Sequence, residues 1–249
     1  MASAEEDRES SGYPAKNVLP VGESVSPARS AATLTRTGLA GKFVSLVPLD
    51  PGRDVQDLYE VSHGNEGKER LWTYMAYGPF SSAEVMRHWL AERAASKDPL
   101  FLAVVDQATQ KRVGMVSFAN NVPAMRGIEL AHIWYSQAVQ RTAINTEAVY
   151  LMMRHAFDEL VYRRVEWKCD ALNARSRQAA LRLGFTFEGI FRKHMIVKGR
   201  NRDTAWFAMT DDEWPNVKKN IKMWLYADGL DVFGLRRLSL TELNANLVG

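Results

Sequence analysis

One cysteine, Cys169, stands in 249 residues. A single thiol excludes a disulfide framework and any cysteine-based zinc site. Charge is nearly balanced as well: 32 Lys and Arg face 29 Asp and Glu, for a net +3. A protein that binds nucleic acid across its surface carries a larger basic excess. No apolar run approaches the ~20 residues of a membrane helix. The first ten residues, MASAEEDRES, are acidic and lead into no apolar core, unlike a targeting peptide. These absences give the expectation of a cytoplasmic protein with no nucleic-acid and no membrane partner. The familiar catalytic signatures are missing too: there is no GxSxG elbow, no HExxH, no phosphate-binding GxxxxGKS or GxxxxGKT, and no strand-linked GxGxxG. The five histidines, His63, His88, His132, His155 and His194, stand at no metal-ligand spacing, so no metal is expected.

What is present is an ordered run of helix and strand signals. Residues 1–37 are rich in small and charged residues and poor in large apolar ones, which predicts a disordered arm. Residues 42–49 read as a strand and residues 51–63 as a helix with Val55, Leu58 and Tyr59 on one face. A second helix is expected to open at Ser81, with Glu84 completing a capping box and Val85, Met86, Trp89 and Leu90 buried. Residues 100–105 and 113–118 form a predicted hairpin, and 128–135 a further strand. A long helix follows over 145–160, then a strand over 164–170 with Val165, Trp167 and Cys169 on one face. A short helix over 176–183 stops at Gly184. Strands over 185–197 and 204–209 flank a turn at 198–201, and a last helix covers 217–226. The order is β-α-α-β-β-β-α-β-α-β-β. A strand-helix-strand step in its middle implies one parallel pair in an otherwise antiparallel sheet. The fold class is therefore α+β, or mixed α/β, in a single domain.

The polar junction between the strand ending at Tyr135 and the long helix is the most informative segment. A strand-to-helix junction offers unpaired backbone N–H groups at the positive end of a helix, which suits an anion. Gln140, Arg141, Thr142, Asn145 and Thr146 add side-chain donors there. Around it lie further spaced motifs: Glu129-Leu-Ala-His-Ile-Trp134, Gln140-Arg-Thr-Ala-Ile-Asn-Thr-Glu-Ala148, Asn173-Ala-Arg-Ser176, Leu183-Gly-Phe185, Glu188-Gly189, Arg192, Arg202-Asp203 and Glu213-Trp214. Taken in order, these resemble the GNAT superfamily of acetyl-CoA-dependent N-acetyltransferases, in its RimJ/RimL-like branch. Residues 128–214 carry most of the likeness, and 41–127 agree in element order. The chain departs from the family at one point. The family's pyrophosphate loop is usually glycine-rich, whereas here it reads Gln140-Arg-Thr-Ala143-Ile-Asn145.

The resemblance implies a twisted sheet with helices on both faces and a central parallel pair, 128–135 beside 164–170, that splays apart to admit acetyl-CoA. It implies cofactor contacts from Ile133, Trp134 and Tyr135 on the strand, from Gln140, Arg141, Thr142, Ala143, Ile144, Asn145 and Thr146 in the loop, and from Asn173 and Ser176 beyond. The implied reaction is direct attack of a neutral amine on the thioester through a tetrahedral intermediate, with no metal and no covalent enzyme intermediate. Such chemistry needs a base and a proton donor for the leaving thiolate. Glu129 is the first candidate base and His132 its rival, because an unperturbed imidazole titrates near neutral pH. Strand alternation puts the two on opposite faces unless a bulge intervenes. Ser176 is the candidate donor to the thiolate and Tyr135 its alternative; Asn173 and Ser176 equally suit a helix cap. Trp72, Tyr74, Tyr77 and Trp89 fall where relatives line the acceptor cleft, and core packing explains them as well.

The acceptor is expected to be an amine-bearing small molecule or a protein N-terminal α-amine, and the protein a monomer or homodimer. A non-catalytic acyl-CoA-binding module on the same fold is the alternative. The resemblance divides the chain into an arm over 1–37, the transferase domain over 38–214 and a helical extension over 215–249. Charge follows the division. Residues 141–202 hold 13 basic and 6 acidic groups, an excess of 7 where the phosphates of CoA would dock.

Overall fold

The structure, a computed structural model, describes residues 19–25, 31–226 and 238–245. Most of the expected arm, residues 1–18 and 26–30, lies outside them. The end of that arm is not free of the fold. Ala31 is buried, the Ala32 N–H donates to the Leu160 carbonyl at 2.9 Å, and Leu34 packs against the core. A few small apolar residues suffice when a preformed surface receives them.

One sheet of eight strands organises the chain. They are β1 (Leu39–Ala40), β2 (Val44–Pro48), β3 (Leu100–Asp106), β4 (Arg112–Val122), β5 (Gly127–Tyr135), β6 (Arg164–Asp170), β7 (Thr186–Val197) and β8 (Arg200–Thr210). Their spatial order is β1-β2-β3-β4-β5-β6-β8-β7. Every neighbouring pair is antiparallel except β5 and β6, which run parallel. The helix between these two strands makes the crossover that a parallel pair requires. The expected turn at 198–201 tightens to Lys198 and Gly199, both at positive φ, which is the two-residue hairpin turn matched to strand twist.

Helices cover both faces. α1 (Pro51–Ser62), the short α2 (Glu66–Glu69) and α3 (Ala83–Ala95) lie on one side, where Val55, Leu58, Met86 and Leu90 meet Phe101, Ala103, Met115 and Trp134. α4 (Ala143–Arg154), α5 (Ala174–Arg182), α6 (Trp214–Tyr226) and α7 (Leu240–Ala245) lie on the other. Asp50 caps α1, its carboxylate accepting from the Arg53 N–H at 3.0 Å, and Pro51 opens the helix where its missing N–H costs nothing. α3 begins one residue later than its sequence predicts. Ser82, not Ser81, is the cap, accepting from the Val85 N–H at 3.2 Å. That shift turns Val85 outward, where it is 47% exposed, and leaves Met86 and Leu90 as the buried stripe. α4 ends in one turn of π-helix over His155–Glu159, within the span expected for one long helix. Of the expected C-terminal extension over 215–249, residues 227–237 and 246–249 lie outside the described residues; Val217, Ile221 and Leu225 of α6 join the core beside α4.

Candidate active site

Two departures from regular pairing create the site, both on β5. The first is a bulge against β4. Met115 pairs with Trp134 and Ser117 with Ala131, so Val116 alone faces both His132 and Ile133. His132 absorbs the extra residue at φ 51°, in the left-handed region. The alternation is thereby reset. Ile133 and Tyr135 turn to the α4 face, while Trp134 turns to the α1–α3 face. His132 falls on that second face too, its ring 4.9 Å from Phe101 and 5.7 Å from Tyr77. The second departure is the splay. β5 pairs with β6 from Gly127 to Leu130, opposite Arg164 to Trp167, and no farther. Residues 131–135 keep β4 on one side and present their other backbone edge to the gap.

Glu129 is buried beside this gap. Its Oε2 lies 3.0 Å from the Lys168 ammonium and accepts from the Asn120 amide. Asn120 is aimed there by a second irregularity, a shift between Ala119 and Val122 with Asn120 at φ 47°. Lys168 also meets Glu166 at 3.0 Å and lies 3.8 Å above the Trp206 ring. Asn120 and Lys168 were not found from sequence. The Asn120-Asn121 pair just past the strand predicted over 113–118 was the one available signal for Asn120, because asparagine tolerates a left-handed backbone; Lys168 had none.

His132 sits in a wall of rings. Tyr77 is 4.2 Å from Trp89, and Trp72 is 5.2 Å from Trp134. Burial pushes the His132 pKa down to about 4, and the Arg93 and Arg202 charges push the same way. The imidazole is therefore neutral through the whole range in which an unperturbed one would titrate. Between His132, Phe101, Pro99 and the α3 end (Glu92, Arg93, Ser96) lies a cavity of about 350 Å³. The Lys198 ammonium at the β7–β8 tip donates to the Trp72 carbonyl at 2.9 Å, and the Tyr74 hydroxyl to the Leu172 carbonyl at 3.2 Å.

The loop from Ser136 to Thr142 leads from β5 into α4. Gln140 turns back, its Nε2 donating to the Tyr135 carbonyl at 3.0 Å. Thr142 caps α4, its hydroxyl donating to Val139 O at 2.8 Å and accepting from the Ile144 N–H at 3.2 Å. Ala143 and Asn145, which replace the family's glycines, lie in the first helical turn. The left-handed conformation falls on Arg141, at φ 61°. No glycine dihedral is needed at 143 or 145, so its absence there costs no backbone strain.

Beyond the gap, Asn173 caps α5 by accepting from the Ser176 N–H at 3.1 Å. The Ser176 hydroxyl accepts from the Trp167 indole at 3.0 Å and bonds the Cys169 thiol, whose pKa is raised by burial. Arg182, at the far end of α5, donates to the Thr146 hydroxyl at 3.0 Å and lies 5.9 Å from the Trp224 ring.

This arrangement fits a long thioester carrying phosphates. The gap offers a free strand edge to an extended amide-bearing arm. The Tyr135 hydroxyl and Asn145 Oδ1 are buried beside it without a hydrogen-bond partner, and native folds leave few such groups without reason. Burial raises the Tyr135 phenol pKa far above its usual value. Among the described residues no cluster of His, Cys, Asp and Glu could hold a metal, and no helix is long and apolar enough to cross a membrane.

Comparison with known proteins agrees with this geometry. Residues 44–186, more than half of the chain, match the family model described as an acetyltransferase (GNAT) domain. A GCN5-related N-acetyltransferase from Brucella melitensis is 38% identical, with a TM-score of 0.82 over 88% of this chain and 99% of that one. A GNAT-family acetyltransferase structure from Chromobacterium violaceum is 37% identical, with a TM-score of 0.73 over 81% of this chain and 100% of that one. Among curated proteins, "Putative ribosomal N-acetyltransferase YdaF" of Bacillus subtilis is 27% identical over 71% of this chain and 96% of its own length.

Proposed function

The chain belongs to the GNAT acetyltransferase family, whose members draw an acetyl group from acetyl-CoA, and from that premise we propose that it acetylates the α-amine of a protein by direct transfer. Acetyl-CoA supplies the activated acyl carbon and a thiol leaving group. The rest falls to the chain. The open edge of Ile133, Trp134 and Tyr135 aligns the pantetheine arm. The loop Gln140–Thr146 holds the pyrophosphate with helix N–H groups and the side chains of Arg141, Thr142 and Asn145. The observation that carries the reading is the bulge at His132 beside the splay. Together they bring Glu129, the free strand edge and the ring-lined wall to one place.

Glu129 is the base, taking the amine proton through water. Lys168 and Asn120 hold its Oε2, which leaves Oε1 for that water. His132 walls the acceptor pocket instead, since a group that protonates near pH 4 takes few protons from an amine at neutral pH. Ser176 is the donor toward the thiolate, with Tyr135, on the α4 side of β5, as its alternative. Asn173 spends its carbonyl oxygen on the α5 cap and keeps its amide N–H groups for the cofactor. The protein acceptor rests on the likeness to a relative named for ribosomal N-acetylation. The transferase unit is residues 38–214, with 215–249 as its helical extension.

The test is thiol release from acetyl-CoA against N-terminal peptides of ribosomal proteins and a panel of small amines. Turnover with peptides is the expected result. Turnover with small amines alone would replace the acceptor class, and CoA binding with no turnover on either would favour a non-catalytic acyl-CoA-binding module.

A further inference from the structure

Arg182 is a cation whose surroundings hold a hydroxyl, Thr146, and a ring, Trp224 at 5.9 Å, but, among the described residues, no acid. It is partly buried on α5, and among the described residues it has no acidic partner. Its guanidinium donates to the Thr146 hydroxyl in the first turn of α4. The end of its own helix favours a cation, but the N-terminal turn of α4, against which the guanidinium lies, carries positive partial charge and does not. Desolvation lowers its pKa, the direction expected of a charge that burial penalises. Its neighbour Tyr135 is only 8% exposed and ends in a hydroxyl with no partner; Tyr135 is also the phenol on which the Arg182 charge acts. A cation, a buried hydroxyl without a partner and the first turn of α4 thus meet with no anion among them.

We propose that Arg182 is a phosphate-binding residue, pairing with the pyrophosphate of CoA at the α4 N-terminus and supplying a partly buried charge to the glycine-free loop. The inference rests on the acetyl-CoA reading of this site. A phosphate there is shared between two helices: the α4 backbone donates from one side and the α5 guanidinium from the other. The guanidinium reaches it as a planar fork of donors, the geometry suited to phosphate oxygens. Binding would also relieve the unfavourable contact between guanidinium and helix terminus.

The test compares the full-length protein with Arg182→Met and Arg182→Lys, using CoA and the phosphate-free fragment pantetheine as probes. Calorimetry gives affinity, and thermal unfolding gives Tm with and without CoA. Arg182→Met is expected to weaken CoA by about tenfold or more, the scale of one charge-assisted bond. Pantetheine affinity stays unchanged, and Arg182→Lys recovers part of the loss. The CoA-induced rise in Tm shrinks, while the Tm of the free protein changes little. Equal CoA affinity in wild type and Arg182→Met would overturn the proposal. So would an equal loss for CoA and pantetheine, or a lower Tm of the free protein with the CoA-induced rise intact; either would mark a structural role. If Arg182→Met does not fold, the same comparison is read from Arg182→Gln, where unchanged CoA affinity would overturn it. Failure of the wild-type protein to bind CoA would instead remove the acetyl-CoA reading itself.

Discussion

Between pH about 6.5 and about 4, the unfolded chain binds a proton at His132 that the folded chain refuses. Stability from this residue is therefore fully present above that window and is lost as pH falls through it. A shift of this size corresponds to about 3 kcal/mol at most. His63, buried with its Nε2 accepting from the Phe80 N–H at 2.8 Å, is shifted in the same direction. The His132→Asn variant isolates the first contribution, since asparagine also tolerates the left-handed backbone at this position. Urea unfolding across the window should show the wild type losing stability with acid faster than His132→Asn; parallel curves would remove the assigned pKa. The activity profile of the wild type should also carry no inflection from His132 near neutral pH. Glu129 gives the complementary prediction. Glu129→Gln should lower kcat by ~10²-fold with the KM for acetyl-CoA little changed, as expected for the loss of a positioned base. Steady-state kinetics check it, and a kcat within a few-fold of wild type would end the assignment. The sequence pointed to Glu129 as a candidate, but its setting was not legible. Lys168 and Asn120 reach it through register and a second bulge, which leave no periodic mark.

At the scale of elements, one buried carboxylate ties three parts of the fold together. Glu147 on α4 accepts from the backbone N–H groups of Lys42, Phe43 and Val44 at 2.9, 2.6 and 2.8 Å, and from the Tyr226 hydroxyl at 2.7 Å. It thereby joins the β1–β2 turn to α4 and α6. Two donors meet each of its oxygens, and of the four only the Tyr226 hydroxyl can turn to accept, so the NH₂ of a glutamine leaves at least one backbone N–H unpaired. Glu147→Gln should cost about 3 kcal/mol. Gly41→Ala should cost about 1–3 kcal/mol by a different route. Its Cβ would stand 2.5 Å from the Glu147 carboxyl group, which four hydrogen bonds hold in place. Denaturant midpoints measure both, and because the two residues touch, their double variant should fall short of the sum. Sequence periodicity recovered most elements here, with β6 matched end to end, because alternation and helical spacing report burial directly. The ends were harder. The α3 cap moved from Ser81 to Ser82 because adjacent serines offer the same hydroxyl, and only packing of Met86 and Leu90 selects between them.

At the scale of the whole molecule, the charge division read from the sequence acquires a place. The basic excess of residues 141–202 covers α4, β6, α5, β7 and the hairpin tip, of which β6 borders the gap and α4 follows the loop that leaves it. Order along the chain could not show that the β7–β8 tip returns to the other half of the fold, because that contact joins residues 126 positions apart. The Lys198 ammonium donates to the Trp72 carbonyl, and the Tyr74 hydroxyl donates to the Leu172 carbonyl. These are two tethers between the segment that follows α2 and the half proposed to hold the cofactor. Both end on the segment of the ring-lined wall, and neither bonds a residue of the 136–146 loop. Each is a net contribution of about 1 kcal/mol. Their removal should therefore loosen the acceptor wall without disturbing the cofactor loop. Lys198→Met with Tyr74→Phe is expected to raise the KM for the acceptor several-fold and lower Tm by a few degrees, while CoA affinity stays close to wild type. Acceptor and acetyl-CoA titrations on the same preparation separate the outcomes. A change confined to acetyl-CoA would place the hairpin on the cofactor side, and the acceptor cleft would then have to be sought away from the Trp72–Tyr77 wall.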